Sequence, residues 1–282
     1  MSVREERSIV AVQAVCHDGQ TTRTAREELV LEEPLEIRVA GDALGLTMRT
    51  PGDDRFLAVG FLFAEGVLTG LDDVGSVYHC GRTDDPRYGN AIEVTPGPGA
   101  QLDVERLLRA RRVGLTTSAC GVCGRDGIDD LLARLSPLRV SQQPIAASLL
   151  LQVPALLARG QSVFARTGGL HGACAIGPGG DVLAEAEDVG RHNAVDKVVG
   201  RLLYAGALPA HAHPVTPHVL AVSGRASFEI VQKAAMAGFS CVASVSAPSS
   251  LSVSTAHAAG LTLAAFVREG RFTLYAHPER VY

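Results

Sequence analysis

Tryptophan is absent from the 282 residues, and the other aromatics are sparse, with 5 Tyr and 8 Phe. Proteins that bind single-stranded nucleic acid stack bases on aromatic side chains, so such a surface is not expected here. A cationic excess is missing too: the net charge is −4 and the isoelectric point about 6.1. That balance excludes a strongly basic face coating DNA or RNA, while leaving room for a local basic pocket. No stretch reaches the roughly 18 uninterrupted apolar residues of a membrane helix. The most apolar one, Leu149 to Ala158, is broken by Gln152 and Pro154. The N-terminus, MSVREERSIV, mixes acids with bases and lacks the apolar segment of a secretory signal, so the cytoplasm is the expected compartment. Neither G-x-x-x-x-G-K-[ST] nor G-x-G-x-x-G occurs, which removes support for a mononucleotide P-loop or a dinucleotide fingerprint.

What is present suits a globular α/β protein of one or two domains. Apolar residues make up 46% of the chain, enough at this length for a core without disulfide or metal staples. Leu35, Ile37 and Val39 alternate with polar residues, as do Leu44, Leu46 and Met48, with Gly41-Asp42 between the two runs. That pattern predicts a β-hairpin with one buried face. Thr50-Pro51-Gly52-Asp53 reads as a helix start with Thr50 as cap, and Phe56, Val59, Leu62 and Phe63 as the apolar stripe. Short helices are expected over Leu102 to Arg112 and from about Ile128 to Leu135. From about Pro144 the pattern changes. A helix over 144–159, a strand over Ser162 to Arg166, and two strands joined by Gly177-Pro178-Gly179-Gly180 are expected. A further helix runs from Arg191 to Ala205. From 219 to 267 the order is strand-helix-strand-helix-strand, the mark of parallel pairing with right-handed crossovers. Ligands of such sheets sit beyond the carboxyl ends of the strands. Here those ends are Ser223-Gly224-Arg225, Ser246 to Ser250, and Arg268 to Arg271, all suited to a polar anionic ligand.

Six cysteines are present, and Cys120-Gly-Val-Cys123 is the sharpest chemical feature. It lies in a small, polar, glycine-flanked stretch that reads as a loop. Two thiols at this spacing can hold a metal, cycle through a disulfide, or relay sulfur as the thiolate nucleophile. Zinc would need two more ligands, and no second C-x-x-C exists; the nearest candidates are His79 and Cys80. Redox pairs usually sit at a helix start in an N-terminal βαβ unit, unlike this one. Two inert loop cysteines are the plain alternative, although exposed paired thiols are an oxidation liability. Cys241 reads as a small buried hydrophobe.

Four further stretches gather polar types. Glu187-Asp188-Val189-Gly190-Arg191-His192-Asn193-Ala194-Val195-Asp196-Lys197 enters a helix, either as a solvated first turn or as the lining of a pocket. Thr167-Gly168-Gly169-Leu170-His171 allows backbone to approach a ligand closely, or simply carries a structural histidine. Ser223-Gly224-Arg225-Ala226-Ser227-Phe228-Glu229 could bind phosphate. Phe266-Val267-Arg268-Glu269-Gly270-Arg271 places two guanidinium forks after the last strand, facing an anion or a charged surface turn.

Taken in order, S-A-C-G-V-C-G, T-G-G-L-H, E-D-V-G-R-H-N-A-V-D-K-V, S-G-R-A-S-F-E, S-A-P-S-S-L and F-V-R-E-G-R resemble the formate dehydrogenase accessory sulfurtransferase family from about residue 27 onward. The resemblance implies a main domain similar to the cytidine deaminase fold, a three-layer αβα unit over 141–282. A smaller hairpin and helix region over 1–140 ends in the C-x-x-C loop. It implies a sulfurtransferase that takes persulfide sulfur from a cysteine desulfurase and gives it to the bis-molybdopterin guanine dinucleotide cofactor of apo-formate dehydrogenase. Cys120 is then the persulfide carrier and Cys123 its partner. The family's cofactor-contacting segment maps onto Phe266, Val267, Arg268, Glu269, Gly270 and Arg271. From the polar stretches above, and not from the resemblance, Gly168, Gly169, His171, Arg191, His192 and Arg225 are the further candidates for the cofactor's site. GDP-like nucleotides would mimic the cofactor, no resident metal is expected, and a homodimer is. True zinc deaminases precede the first cysteine of their C-x-x-C with Pro, where this chain has Ala119. A chaperone that binds the cofactor without moving sulfur is the alternative.

Overall fold

The structure is a computed structural model and describes residues 8–82, 85, 88–100, 102, 143–208 and 217–282. Cys120, Cys123, and the helices expected over 102–112 (Leu102 itself apart) and 128–135 lie outside the described residues.

The chain begins with a two-stranded antiparallel ribbon, β1 (Ile9–His17) and β2 (Thr22–Val30). The Asp18 carboxylate closes its turn by accepting from the backbone N–H groups of Gln20 and Thr21. The predicted hairpin follows as β3 (Glu33–Val39) and β4 (Asp42–Arg49), with Leu35, Ile37 and Val39 buried. Its second strand departs from the expected alternation. Ile37 pairs with Gly45 and Arg38 with Ala43, which leaves Leu44 as an extra residue. Such a bulge shifts the side-chain phase. Leu44 is buried, but Leu46 and Met48 point outward and Arg49 inward.

Helix α1 (Asp54–Ala64) begins later than its sequence pattern suggests, with Asp53 rather than Thr50 as N-cap, in the left-handed region at φ 61. Strands β5 (Val74–His79) and β6 (Ala91–Pro96) complete a four-stranded sheet in the order β4-β3-β6-β5. Helix α2 (Ala147–Arg159) carries Pro154 within it. The next element corrects the sequence reading: 162–166 is not a strand but part of helix α3 (Ser162–Thr167). Its free N-terminal amides explain why. The N–H groups of Val163 and Phe164 donate to the two carboxylate oxygens of Glu187, at 3.0 and 2.8 Å. Helix starts need such acceptors, and this one comes from a distant strand.

The remaining elements are β7 (His171–Ile176), β8 (Val182–Asp188), α4 (Arg191–Tyr204), β9 (Val219–Val222), α5 (Phe228–Met236), β10 (Cys241–Ser244), α6 (Ser250–Ala259), β11 (Thr262–Arg268) and β12 (Arg271–Ala276). They build a six-stranded sheet in the order β12-β11-β10-β9-β7-β8. Strands β9, β10 and β11 pair in parallel, as the strand-helix alternation predicts. Alternation along these strands separates two faces. Leu220, Val222, Val242 and Leu263 pack with the α4, α5 and α6 side, whereas Val219, Ala221, Cys241 and Ala243 pack with α2. Helix α1 lies directly on α4. A Cβ on Gly60 would overlap the Asp196 carbonyl, and one on Gly200 the Phe56 carbonyl, so glycine lets the two backbones meet. One buried cluster therefore runs from Leu35 and Ile37 through Leu57 and Leu62 to Val195 and Val222.

Candidate functional site

The strand order sets the ends of β11, β10, β9, β7 and β8 side by side at one edge of the six-stranded sheet. Ser223, just past β9, is tied to the start of β7: its N–H donates to the Gly172 carbonyl, and its hydroxyl accepts from the Gly172 N–H, both at 2.9 Å. His171 and Arg191 close over Gly224. A Cβ there would stand 3.3 Å from His171 Nδ1 and 3.4 Å from Arg191 Cβ, so a larger residue would push the two side chains apart. His192 Nε2 lies 2.7 Å from Glu229 Oε2 and 3.1 Å from the Ser227 hydroxyl. Arg225 is exposed on the same loop. The N-caps of α4 and α5, Gly190 and Ser227, make no side-chain cap hydrogen bond, so both helix starts bring partial positive charge to this edge.

Two strands away, Arg268 donates to the Val245 carbonyl beyond β10 and to its neighbour's Val267 carbonyl at 2.9 Å. Arg271 pairs with Arg268 across the β11–β12 turn; Arg268, Glu269, Gly270 and Arg271 are all exposed. Phe266 has a left-handed backbone at φ 51, and its N–H donates to the Ser246 carbonyl at 3.1 Å. A bulky residue holds that conformation only where its surroundings impose it; here the bulge turns the ring outward, 42% exposed. Val267 is different: it is fully buried in the α2-side cluster and offers a ligand no side-chain surface. Between the two groups opens a pocket of about 450 Å³, walled by Leu157, Phe164, Gly168, Gly169, His171 and Val245. Burial, with the charges of Arg191 and His192 beside it, pushes the His171 pKa below its ordinary value. The neutral imidazole at the pocket wall can thus both donate and accept a hydrogen bond.

The stretch from Glu187 to Lys197 is neither a solvated turn nor wholly a pocket lining. Asp188, fully buried, accepts from Gly190 N–H at 2.8 Å and Asn193 Nδ2 at 2.9 Å, and pairs with Lys197 Nζ at 2.6 Å. Lys197 also donates to the Thr50 carbonyl, and Asn193 to the Met48 carbonyl. Asp196 pairs with buried Lys233 at 2.7 Å. Only Arg191 and His192 turn to the sheet edge. The inward members hold α4 against β4 and α1; the sequence does not name their partners, because those lie far away in the chain. Two further roles were missed for the same reason: Glu187 as the cap of α3, and Glu229 with Ser227 as the grip on His192. The S-G-R-A-S-F-E stretch was the available signal for the second.

Three of the described cysteines sit where a thiol is held protonated. Burial pushes Cys174 and Cys241 up to about 12, in keeping with the buried hydrophobe expected at Cys241. Burial and then Glu93 raise Cys80 as well. An activated thiol needs the opposite surroundings. Among the described residues no group of three His, Cys, Asp or Glu side chains could hold a metal ion. The chain's one H-x-E, His277-Pro278-Glu279, is an ion pair at 2.9 Å beside the C-terminus. No helix among the described residues is long and apolar enough to cross a membrane.

The FdhD/NarQ family model matches residues 30–282. The sulfur carrier protein FdhD of Anaeromyxobacter dehalogenans strain 2CP-1 is 54% identical over 273 residues, covering 96% of this chain and 93% of that one. The protein of the same name from Mycobacterium tuberculosis H37Rv is 46% identical over 269 residues, covering 92% of this chain and 93% of its own. In structure, the chain resembles a protein from Desulfotalea psychrophila described as a formate dehydrogenase accessory protein. The TM-score is 0.72 at 22% identity, over 98% of this chain and 100% of the other.

Proposed function

The chain belongs to the FdhD/NarQ family, and from that premise we propose how it works. It is a sulfur carrier protein and an accessory to formate dehydrogenase. Its activity is that of a sulfurtransferase of the persulfide-relay type. The Cys120 thiolate attacks the outer sulfur of a persulfide on a cysteine desulfurase. The new S–S bond forms on Cys120 as the old one breaks, and the desulfurase cysteine leaves as thiolate. The cargo's recipient is the bis-molybdopterin guanine dinucleotide cofactor, bound for apo-formate dehydrogenase in the cytoplasm. Where sulfur is not delivered, Cys123 attacks Cys120, forming a disulfide and releasing hydrosulfide.

The observation that carries this reading is the gathering of Arg191, Arg225, Arg268, Arg271, His171 and His192 along one sheet edge, beside two helix starts without side-chain caps. Guanidinium forks match pyrophosphate oxygens, and helix starts favour anions. Gly168 and Gly169 let a flat ring approach the backbone, while Phe164, Phe266 and neutral His171 supply apolar walls and hydrogen bonds. Glu269, Gly270 and the Val267 backbone shape the turn that presents the two outer arginines. The parallel β9–β11 unit, with α4 to α6 on one face and α2 on the other, supports a three-layer, cytidine deaminase-like domain over 141–282 following a smaller region over 1–140. The working form is a homodimer.

Mass spectrometry after incubation with a cysteine desulfurase and cysteine tests the carrier role. The peptide holding Cys120 gains the mass of one sulfur atom, lost again on reduction. A chain that binds GDP but gains no sulfur there is a cofactor-binding chaperone, and the carrier reading fails.

A further inference from the structure

We propose that His192 and Glu229 form an imidazole–carboxylate dyad that supplies the proton of the sulfur-delivery step, with His192 Nδ1 as the acid and Glu229 as its positioning residue. The inference rests on the carrier reading above and assigns a chemical step within the same site.

The geometry carries the first part. His192 is the second residue of α4, and Glu229 lies in the first turn of α5. Their side chains meet at 2.7 Å, Nε2 to Oε2, and the Ser227 hydroxyl stands 3.1 Å from the same nitrogen. An ionised carboxylate only accepts hydrogen bonds, so Nε2 keeps its hydrogen pointed at Glu229. That contact fixes the tautomer and the direction of the ring. Among the described residues Nδ1 has no hydrogen-bond partner. Nδ1 is therefore the nitrogen left to exchange a proton with a substrate, as a general acid must.

A plain staple between α4 and α5 would explain the contact but not its details. Those helices are already joined by the buried pair Asp196–Lys233 at 2.7 Å. The side chains of His192 and Glu229 are 18% and 27% exposed, where an ion pair contributes little. Ser227 is the N-cap of α5 and serine is among the best capping residues, yet its side chain makes no cap hydrogen bond and lies against His192 instead. Helix stability is given up there to orient an imidazole ring, and local rules are broken in this way at functional sites. His171, the other histidine of the edge, is pushed toward its neutral form, first by burial. It holds no proton in reserve, which leaves that part to His192.

In the step, Cys120 carries the sulfur as a persulfide anion. The reduced metal of the acceptor cofactor donates an electron pair to the outer sulfur. The S–S bond breaks with its pair on Cys120 Sγ, and His192 Nδ1 protonates that atom to the thiol. The outer sulfur arrives as sulfide, the metal is oxidised by two electrons, and solvent returns a proton to Nδ1. Protonation relieves the leaving sulfur of its negative charge, and the stability of the leaving thiol governs how fast such bonds break.

The test is single-turnover delivery of radiolabelled sulfur from the loaded full chain to the reduced cofactor, over a range of cofactor concentrations, in H2O and in D2O. His192→Asn loads Cys120 as wild type does, but its delivery rate at saturating cofactor falls about 100-fold, the scale of a lost general acid. Its half-saturating concentration changes far less. Glu229→Gln keeps the shape, removes the charge, and lowers the saturating rate by a smaller factor. Delivery by wild type is slower in D2O, whereas delivery by His192→Asn is not. Melting curves check that both variants are folded. A saturating rate that stays at the wild-type value while the half-saturating concentration rises makes His192 a binding cation only and overturns the dyad, leaving the carrier reading intact. A wild-type rate that is equal in both solvents overturns it without any substitution. Failure of wild type to load Cys120 at all overturns the carrier reading and this one with it.

Discussion

Asp188, Asn193 and Lys197 on one side of the α4 start, and Arg191 and His192 on the other, come from a single short stretch and are drawn from the same polar types. On the inner side every charge has a partner: Asp188 meets Lys197 at 2.6 Å, and Asp196 meets Lys233 at 2.7 Å. The chain's only two lysines are thus spent inside the fold. On the outer side, arginines and histidines crowd together, with Glu229 holding His192. Residue type alone does not separate structural polarity from functional polarity; the tally of partners does. A closed ion pair holds elements together, whereas converging cations with open geometry suit a bound anion.

Lys197→Ala breaks this comparison most severely. It leaves Asp188 buried without its cation, and removing one member of a buried pair costs about 3–5 kcal/mol. Chemical denaturation should show the midpoint falling steeply, or no folded protein at all. Replacing Asp188 and Lys197 together by neutral residues should recover part of the loss. A midpoint within about 0.5 kcal/mol of wild type, the usual range for surface substitutions, would show that the inner network holds nothing.

The smaller effect is in titration. His171 has a folded pKa below its ordinary value of about 6.5, first because it is buried and then because of Arg191 and His192. Between the folded and unfolded values, the unfolded chain binds the extra proton. Its contribution to stability is therefore complete above about pH 6.5 and lost as pH falls toward the folded value. His218, buried and lowered by the same desolvation, acts in the same direction. Ring-proton NMR should place the His171 midpoint below the ordinary value. Arg191→Ala should raise it, though not fully, because burial is the larger cause. A midpoint at or above the ordinary value contradicts the cationic crowding.

How much of this was legible beforehand follows from where each partner lies. Strands β9, β10 and β11 are short apolar runs ending in Gly, Ser or Arg, and their parallel order could be read directly. The bulge at Leu44 could not, because it depends on how Ile37 and Arg38 pair across the hairpin. Helix α3 was mistaken for a strand because its cap, Glu187, sits on β8. The β1–β2 ribbon was missed because TRTAREELV has no apolar alternation to reveal it. Among the candidate site residues, Arg191, Arg225, Arg268 and Arg271 lie at or just past strand ends, as the sequence pattern suggests, whereas Gly168 and Gly169 follow helix α3 and not the strand expected there. The inward turn of Asp188, Asn193 and Lys197 was not, since their partners Thr50 and Met48 belong to the N-terminal region.

The central claim is that sulfur loads on Cys120 and is delivered at the arginine-lined sheet edge. Radiolabelled sulfur, followed from a cysteine desulfurase to the carrier and on to the cofactor, tests it directly in wild type and in Arg191→Ala. A lost charged hydrogen bond of about 1.5–3 kcal/mol predicts equal loading of Cys120 but delivery lowered roughly tenfold or more at sub-saturating cofactor. Undiminished delivery by the variant, with loading intact, would contradict it.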